Sequence, residues 1–386
     1  MNPLVPEQLL KDASVAAGGL ADFGDDAFRE GLKVLCDSLG RESKLSEMGV
    51  AILKQKITGQ LANRLYVEDH FRRYPDIAKE DVSAPVVIVG LPRTGTTKLQ
   101  RLLSRDPRFW FMYFWESQFP VPLPGESLVQ PNARIGAARE MVGMMTQAMP
   151  RLMAIHPMDA DEADEEVMLM EHSFISAFNA YAHVPAYTAW LDRQDQGPAY
   201  AYLKRMLQFL QWQKRQRGIS GQRWVLKSPH HLLRMDALLR AFPGVQVILT
   251  HRDPVQSIPS IASFIHTLWG IYSNEASAQA AGAEWSALMN RALAHTMAVR
   301  KTAPKQFLDV QFRDTVKQPM DVVKRVYEFI DWPLTPAVET AMREWLKLDD
   351  AQHQAGGAHD YTPEQFGLSA DGIKKDFAAY RKQHIE

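Results

Sequence analysis

Residues 90–97, Gly90-Leu-Pro-Arg-Thr-Gly95-Thr96-Thr97, form a glycine- and hydroxyl-rich stretch of the kind that cradles a phosphate. An apolar run, Val86-Val87-Ile88-Val89, precedes it and reads as a buried strand. Lys98-Leu-Gln-Arg-Leu-Leu103 follows and reads as a helix. Strand, glycine turn and helix start together offer an anion consecutive backbone N–H groups and the positive end of a helix dipole. Arg93 adds a planar cationic fork, and Thr94, Thr96 and Thr97 add three hydroxyls. The spacing nearly spells the G-x-x-x-x-G-K-S/T of nucleotide-binding loops. Thr96, however, stands where the lysine would reach the β- and γ-phosphates. The loop is therefore expected to hold a 5′-phosphate whose distal group needs no such lysine, and a nucleotide bearing a sulfate fits.

A second chemistry-bearing stretch is Val247-Ile-Leu-Thr-His251-Arg252-Asp253-Pro254. A strand ends there, an arginine follows, and Asp253-Pro254 signals a helix start. Ser260 lies eight residues beyond Arg252, about two turns into that helix. In open α/β sheets, ligands bind at the carboxyl ends of strands. Arg252 is thus expected to hold a second anionic group near the first loop; the plainer alternative is a local pair with Asp253.

The pair of motifs resembles the PAPS-dependent sulfotransferase family, PAPS being 3′-phosphoadenosine-5′-phosphosulfate, and in particular its broad bacterial branch. The resemblance covers roughly residues 85–385. It rests on Arg93-Thr94-Gly95-Thr96-Thr97, which it implies binds the 5′-phosphosulfate, and on Arg252 with Ser260, which it implies bind the 3′-phosphate. Further landmarks are Trp115-Glu116, Trp224-Val-Leu-Lys-Ser-Pro229, His359-Asp-Tyr361 and Glu364-Gln-Phe-Gly367. A basic-glycine motif that ends many eukaryotic cytosolic members is not evident; His359 and Tyr361 are candidates for part of that work. The resemblance implies PAPS as sulfuryl donor and a hydroxyl or amine on a small molecule as acceptor.

Sulfuryl transfer is akin to phosphoryl transfer, a loose in-line displacement with little covalent work for the protein. The leaving oxygen needs charge stabilisation, the sulfuryl group needs orienting, and the acceptor proton needs a base. Arg93 and Lys227, the latter at a strand end, are the candidates for charge stabilisation. Three residues compete as base: Glu116 after the second strand, His156 in Ala-Ile-His-Pro, and His230. A histidine suits proton abstraction near neutral pH. Cytosolic sulfotransferases carry a catalytic histidine two residues after the matching lysine, but Pro229 occupies that position here. The acid run Asp161-Glu162-Ala-Asp164-Glu165-Glu166 reads first as a charged helix start, and second as an orienting group for a basic catalytic residue. No clustered His/Cys spacing suggests a metal, and no metal is expected. The rival readings are a P-loop nucleotide kinase or phosphotransferase and a non-catalytic nucleotide-binding module. The first is disfavoured by Thr96 and by the lack of an evident strand-end aspartate for magnesium.

These residues must be positioned by alternating strands and helices. Strands are expected at Val86–Val89, Trp110–Phe114, Arg223–Leu226, Val245–Thr250 and Phe307–Val310. Amphipathic stretches lie around 132–148, 160–182, 198–217, 231–241, 255–268 and 276–301. The pattern predicts an α/β, P-loop-like three-layer fold: a central parallel sheet flanked by helices, plus an N-terminal helical extension. Residues 1–84 form that extension and residues 85–386 the α/β domain, with a helical acceptor-lid insertion at about 125–200. Met141, Met144, Met145, Met149, Met153 and Met158 crowd that insertion, and Phe174, Phe178, Tyr181, Tyr187 and Trp190 follow. Methionine-rich surfaces adapt to varied ligands, so an apolar acceptor pocket is the expectation; ordinary helix core is the alternative.

Composition sets the outer bounds. A chain of 386 residues with 46% hydrophobic and 23% charged residues has ample material for a globular core. A formal net charge of −1 argues against a general nucleic-acid binder. The single cysteine, Cys36, excludes an intrachain disulfide and reads as a small buried hydrophobe. Met1-Asn-Pro-Leu-Val-Pro-Glu7 lacks the charged-then-apolar order of a signal peptide, and no apolar run is long enough to span a membrane. The chain is expected to be cytoplasmic.

Overall fold

The computed structural model describes residues 3–355 and 361–386. Five strands form one all-parallel sheet: β1 (Val86–Gly90), β2 (Phe109–Trp110), β3 (Arg223–Lys227), β4 (Gln246–His251) and β5 (Phe307–Gln311), in the order β2-β3-β1-β4-β5. β1 is central, with Ile88 opposite Lys227 of β3 and Gly90 opposite Thr250 of β4. All strands being parallel, the segments that follow β1, β3 and β4 leave from one edge of the sheet.

Why these runs become central strands is visible in their burial. Every residue of β1 is buried. Val87 and Val89 join the core on one face with Leu226, Val247 and Leu249. Val86 and Ile88 join the core on the other face with Val225 and Ile248. Alternate side chains thus feed two helical layers, which is the condition for a continuous apolar strand rather than an alternating one.

Residues 6–79 are mostly helical: Pro6–Ala16, Phe28–Glu42, Glu47–Arg73 and a 3-10 turn at Pro75–Lys79. Leu32, Leu35, Leu53, Ile57 and Leu61 lie in the same core as Val87 and Leu249. Arg64, 1% exposed, donates to the carbonyls of Phe23, Asp25 and His172, which ties this segment to the middle of the chain. Cys36 sits in this core, and burial pushes its thiol up to about 12.

Two expected elements differ. The second strand is only Phe109–Trp110; Phe114–Gln118 is helical, closed at its start by Tyr113 N–H donating to Glu116 Oε2 at 3.0 Å. The apolar run Phe111 to Trp115 has strand composition, but this reciprocal cap turns it. The stretch 160–182 is not one helix. It holds an antiparallel bridge between Ala163 and Tyr113, a four-residue helix Val167–Met170 and two 3-10 turns, Glu171–Ser173 and Phe178–Ala180. Glu165 faces inward to the Lys227 ammonium and Glu166 to its backbone N–H, and Phe174 adopts φ +54°, which breaks helical continuity. Among the described residues, no helix is long and apolar enough to cross a membrane.

Candidate active site

The loop after β1 runs into the helix Thr96–Leu103, with Gly95 as its N-cap at φ +84°. Arg93, also left-handed at φ +70°, gives the loop a bend that a non-glycine residue rarely adopts. Gly90 is demanded by packing: a Cβ there would overlap Thr250 Oγ1 and come within 2.8 Å of Thr94 Oγ1. Thr94 is buried, and its hydroxyl donates to the Leu91 carbonyl at 2.6 Å and lies 2.7 Å from Thr250 Oγ1. Its hydroxyl locks the loop to β4. Thr96 is buried at the first helical position, and Thr97 lines a pocket.

Arg252 reaches this loop. Its Nη1 donates to the Arg93 carbonyl at 2.7 Å, its Nε to Gln256 at 3.1 Å, and its guanidinium lies 4.1 Å from the Phe312 ring centroid. Burial lowers its proton affinity, Tyr361 raises it and Arg93 lowers it, so both residues lie within electrostatic reach. Asp253 does not take Arg252 as its partner: it caps the helix Pro254–Tyr272 at Val255 N–H and holds Arg381 through both oxygens. Ser260 is buried in that helix. His359 lies outside the described residues.

A narrow pocket beside the loop is lined by Thr97, Arg101, Phe114, His156, Asp164 and Lys227, with Pro157, Met158 and Asp159 at its side. Here the structure brings together residues from β3, the helix after β1 and the insertion. Arg93 Nη1 donates to the Ile155 carbonyl at 2.7 Å, which anchors the segment carrying His156 against the loop. Burial, opposed by Asp164 and joined by the charges of Lys227, Arg93 and Arg101, pushes His156 down to about 4. The ring is thus a neutral acceptor at pH 7.

Lys227 is 1% exposed, with Nζ 2.5 Å from Glu165 Oε1. Its backbone N–H donates to Glu166 Oε2 at 2.8 Å. Glu166 Oε1 meets His231 Nε2 at 2.6 Å, and His231 Nδ1 meets the Tyr200 hydroxyl at 2.7 Å. The acid run leads into the short helix Val167–Met170, with Glu166 at its N-cap, but its last two carboxylates point inward. Glu165 pairs with the Lys227 ammonium and Glu166 accepts from the Lys227 backbone N–H. Sequence carried their charge but not their direction.

The other candidate bases stand apart. Glu116 is 1% exposed and forms ion pairs with Lys214 at 2.5 Å and Arg217 at 2.6 Å. Burial would raise its carboxyl, but Lys214 and Arg217 outweigh it and hold it below the usual range. Its oxygens are spent on structure, which argues against the base role expected for it. His230 is not among the residues lining the pocket. Its Nε2 is buried without a partner, and burial drives its proton affinity well down.

Among the described residues, one cluster has metal-ligand types within 4.8 Å: His251, Asp309 and His384. Its atoms are already engaged. Arg300 binds both Asp309 oxygens, His251 bridges Asp309 and Tyr380, and His384 stacks on His251 at 4.3 Å. The strands flanking β1 end in Lys227 and His251, so neither supplies a strand-end aspartate.

The methionine stretch splits from its aromatic sequel. Phe174, Phe178, Tyr187 and Trp190 are core. Along the helix Asn132–Ala148 only Arg134 and Ala138 are buried. Met141 and Met158 pack against Phe114 and Trp115, and Met144 is 64% exposed.

A model of the sulfotransferase family matches residues 85–336. Among solved structures, the chain is similar to the sulfotransferase STF1 of Mycobacterium tuberculosis H37Rv (29% identity, TM-score 0.84), the match covering 98% of this chain and 100% of that one. It is also similar to the sulfotransferase STF9 of Mycobacterium avium (25% identity, TM-score 0.86), with 98% and 96% covered. A comparison with curated proteins returns no match.

Proposed function

The chain belongs to the sulfotransferase family, and from that premise we propose that it moves a sulfuryl group from PAPS to a hydroxyl or amine of an apolar small molecule or lipid, releasing 3′,5′-ADP. The observation that supports this reading is the contact between Arg252 and the loop at Arg93, which brings together at one edge of the sheet the two elements read here as anion-binding. One phosphate alone would not call for both. In this reading the backbone of residues 93–97, with the Thr96 and Thr97 hydroxyls, holds the 5′-phosphosulfate. Arg252 and Ser260 hold the 3′-phosphate.

The donor supplies the sulfuryl group and a phosphate leaving group. Arg93 and Lys227 offset the charge that grows on the leaving oxygen as the bond to sulfur lengthens. His156, neutral and adjacent to Thr97 and Lys227 in the pocket, accepts the acceptor's proton. Exposed Met144 and the half-buried Met141, Met145, Met149, Met153 and Met158 form the apolar approach for the acceptor. The test is transfer of label from ³⁵S-PAPS to a panel of phenols, alkyl alcohols and amines, with 3′,5′-ADP measured as product. Magnesium-dependent ATP turnover without label transfer would replace this reading with phosphoryl transfer. Tight 3′,5′-ADP binding with no transfer to any acceptor would replace it with a nucleotide-binding module.

A further inference from the structure

Lys227 is gripped at both ends by consecutive carboxylates, and the two grips differ. Glu166 is a fixed anchor: 1% exposed, it accepts from the Lys227 backbone N–H and is backed by buried His231 and Tyr200. Glu165 holds the ammonium, at the end of a flexible four-carbon stem, and its side chain is 18% exposed. A carboxylate therefore sits beside a loop built to attract anions, on the same cation that the transferred group's leaving oxygen needs.

Both cannot be served at once. Moving Lys227 to a phosphate oxygen strips Glu165 of its counter-ion. The groups that then face Glu165 are Asp164 and Glu166 beside it in the chain, and Tyr181 from the 3-10 turn region. None of these is a cation. The cations Arg93 and Arg101 face His156 across the pocket. Desolvation acts on Glu165 in the same direction as its acidic neighbours, and already keeps its carboxyl above the ordinary range despite Lys227.

Resting on the function proposed above, we propose that Glu165 is the resting counter-ion of Lys227. The donor's 5′-phosphate displaces it, and Glu165 then takes a proton from solvent, so that nucleotide binding is coupled to proton uptake. The Lys227–Glu165 ion pair breaks, a Lys227–phosphate pair forms, and the carboxylate becomes a neutral carboxylic acid. The coupling makes affinity fall as pH rises, by up to about tenfold per pH unit for one linked proton.

Calorimetry of 3′,5′-ADP binding at pH 7, in buffers of different ionisation enthalpy, counts the protons. Wild type is expected to take up more than Glu165→Gln by up to about one. Glu165→Gln is expected to bind 3′,5′-ADP more tightly, with the advantage growing toward alkaline pH. A second comparison needs no variant: on wild type, 3′,5′-ADP should draw in a proton that 3′-AMP, lacking the 5′-phosphate, does not. Equal proton counts in both comparisons, or weaker binding by a folded Glu165→Gln, overturn the proposal and leave the sulfotransferase reading standing. A wild-type protein that binds no 3′,5′-ADP removes that reading, and the proposal with it.

Discussion

Arg252 donates through Nη1 to the backbone carbonyl of Arg93 at 2.7 Å, across 159 residues of sequence. This bond closes the gap between the loop after β1 and the turn after β4. It also holds the Arg252 guanidinium against the Phe312 ring, the position proposed above for the 3′-phosphate.

Arg252→Ala should therefore discriminate between nucleotides. A charge-assisted hydrogen bond to a phosphate contributes about 1.5–3 kcal/mol, or about 10- to 100-fold. Affinity for 3′,5′-ADP should drop by that factor, and affinity for 5′-AMP by far less. Equal losses for the two ligands would take Arg252 out of its assigned role.

The loop's rigidity rests on the Thr94–Thr250 contact over Gly90. Thr94→Val leaves Thr250 without this buried partner and should cost about 1–3 kcal/mol in stability. Gly90→Ala forces a methyl into the same space and should cost a similar amount. Denaturant unfolding measures both. Because the Thr94 hydroxyl faces β4, folded Thr94→Val should keep 3′,5′-ADP affinity within a few-fold of wild type.

Glu116 gives an acid-sensitive contribution. Its folded carboxyl is held below the ordinary value, so its stabilisation is present above about pH 4.3 and is lost as pH falls through the folded value. Glu116→Gln leaves Lys214 and Arg217 buried and uncompensated, and should destabilise by about 3–5 kcal/mol. If Glu116 were instead the catalytic base, the variant would keep wild-type stability and lose turnover.

The sequence made the sheet legible because β1, β3 and β4 carry the apolar runs Val86–Val89, Trp224–Leu226 and Val247–Leu249, which a strand covered on both faces buries. Arg93 and Arg252 were legible because strand ends in such sheets meet at one edge. What failed was direction. The run from Phe111 to Trp115 has strand composition, and only the Tyr113–Glu116 cap, closed in three dimensions, makes it turn into a helix. Glu165 and Glu166 resemble a solvated charge run, because no local pattern records a buried lysine 62 and 61 residues away. His156, by contrast, stood out in sequence and joins the pocket through the Arg93–Ile155 bond.

His156 carries a kinetic and a stability prediction. As base it should, when changed to Ala, lower kcat by about 10²–10⁴-fold while leaving 3′,5′-ADP affinity near wild type. Its depressed value, about 4, keeps the accepting form populated well below neutrality, so kcat/KM should show no histidine-like fall near pH 6.5. The same sign governs stability. Unfolded His156 takes a proton near pH 6.5 and the folded ring does so only near 4, so the folded state loses ground as pH falls between them. His172, pushed to about 3 by burial, adds to that slope. Urea midpoints measured from pH 7 to pH 4 should fall, and His156→Ala should make the decline shallower.

The methionines of the insertion make the acceptor side testable. Pro157 and Met158 border the pocket, Met141 and Met158 pack on Phe114 and Trp115, and Met144 stands in solvent further along the same helix. An acceptor whose hydroxyl reaches His156 would lay its tail along this surface. Each buried methylene contributes about 0.8 kcal/mol, close to fourfold. Across a series of 4-alkylphenols, kcat/KM should climb by about that factor per carbon until the methionine surface is covered, and then level off. Met144→Ser with Met145→Ser should flatten the climb through KM and leave kcat for unsubstituted phenol unchanged. A flat series in wild type, or better turnover of sugars than of any alkylphenol, would mean that the methionine helix does not receive the acceptor.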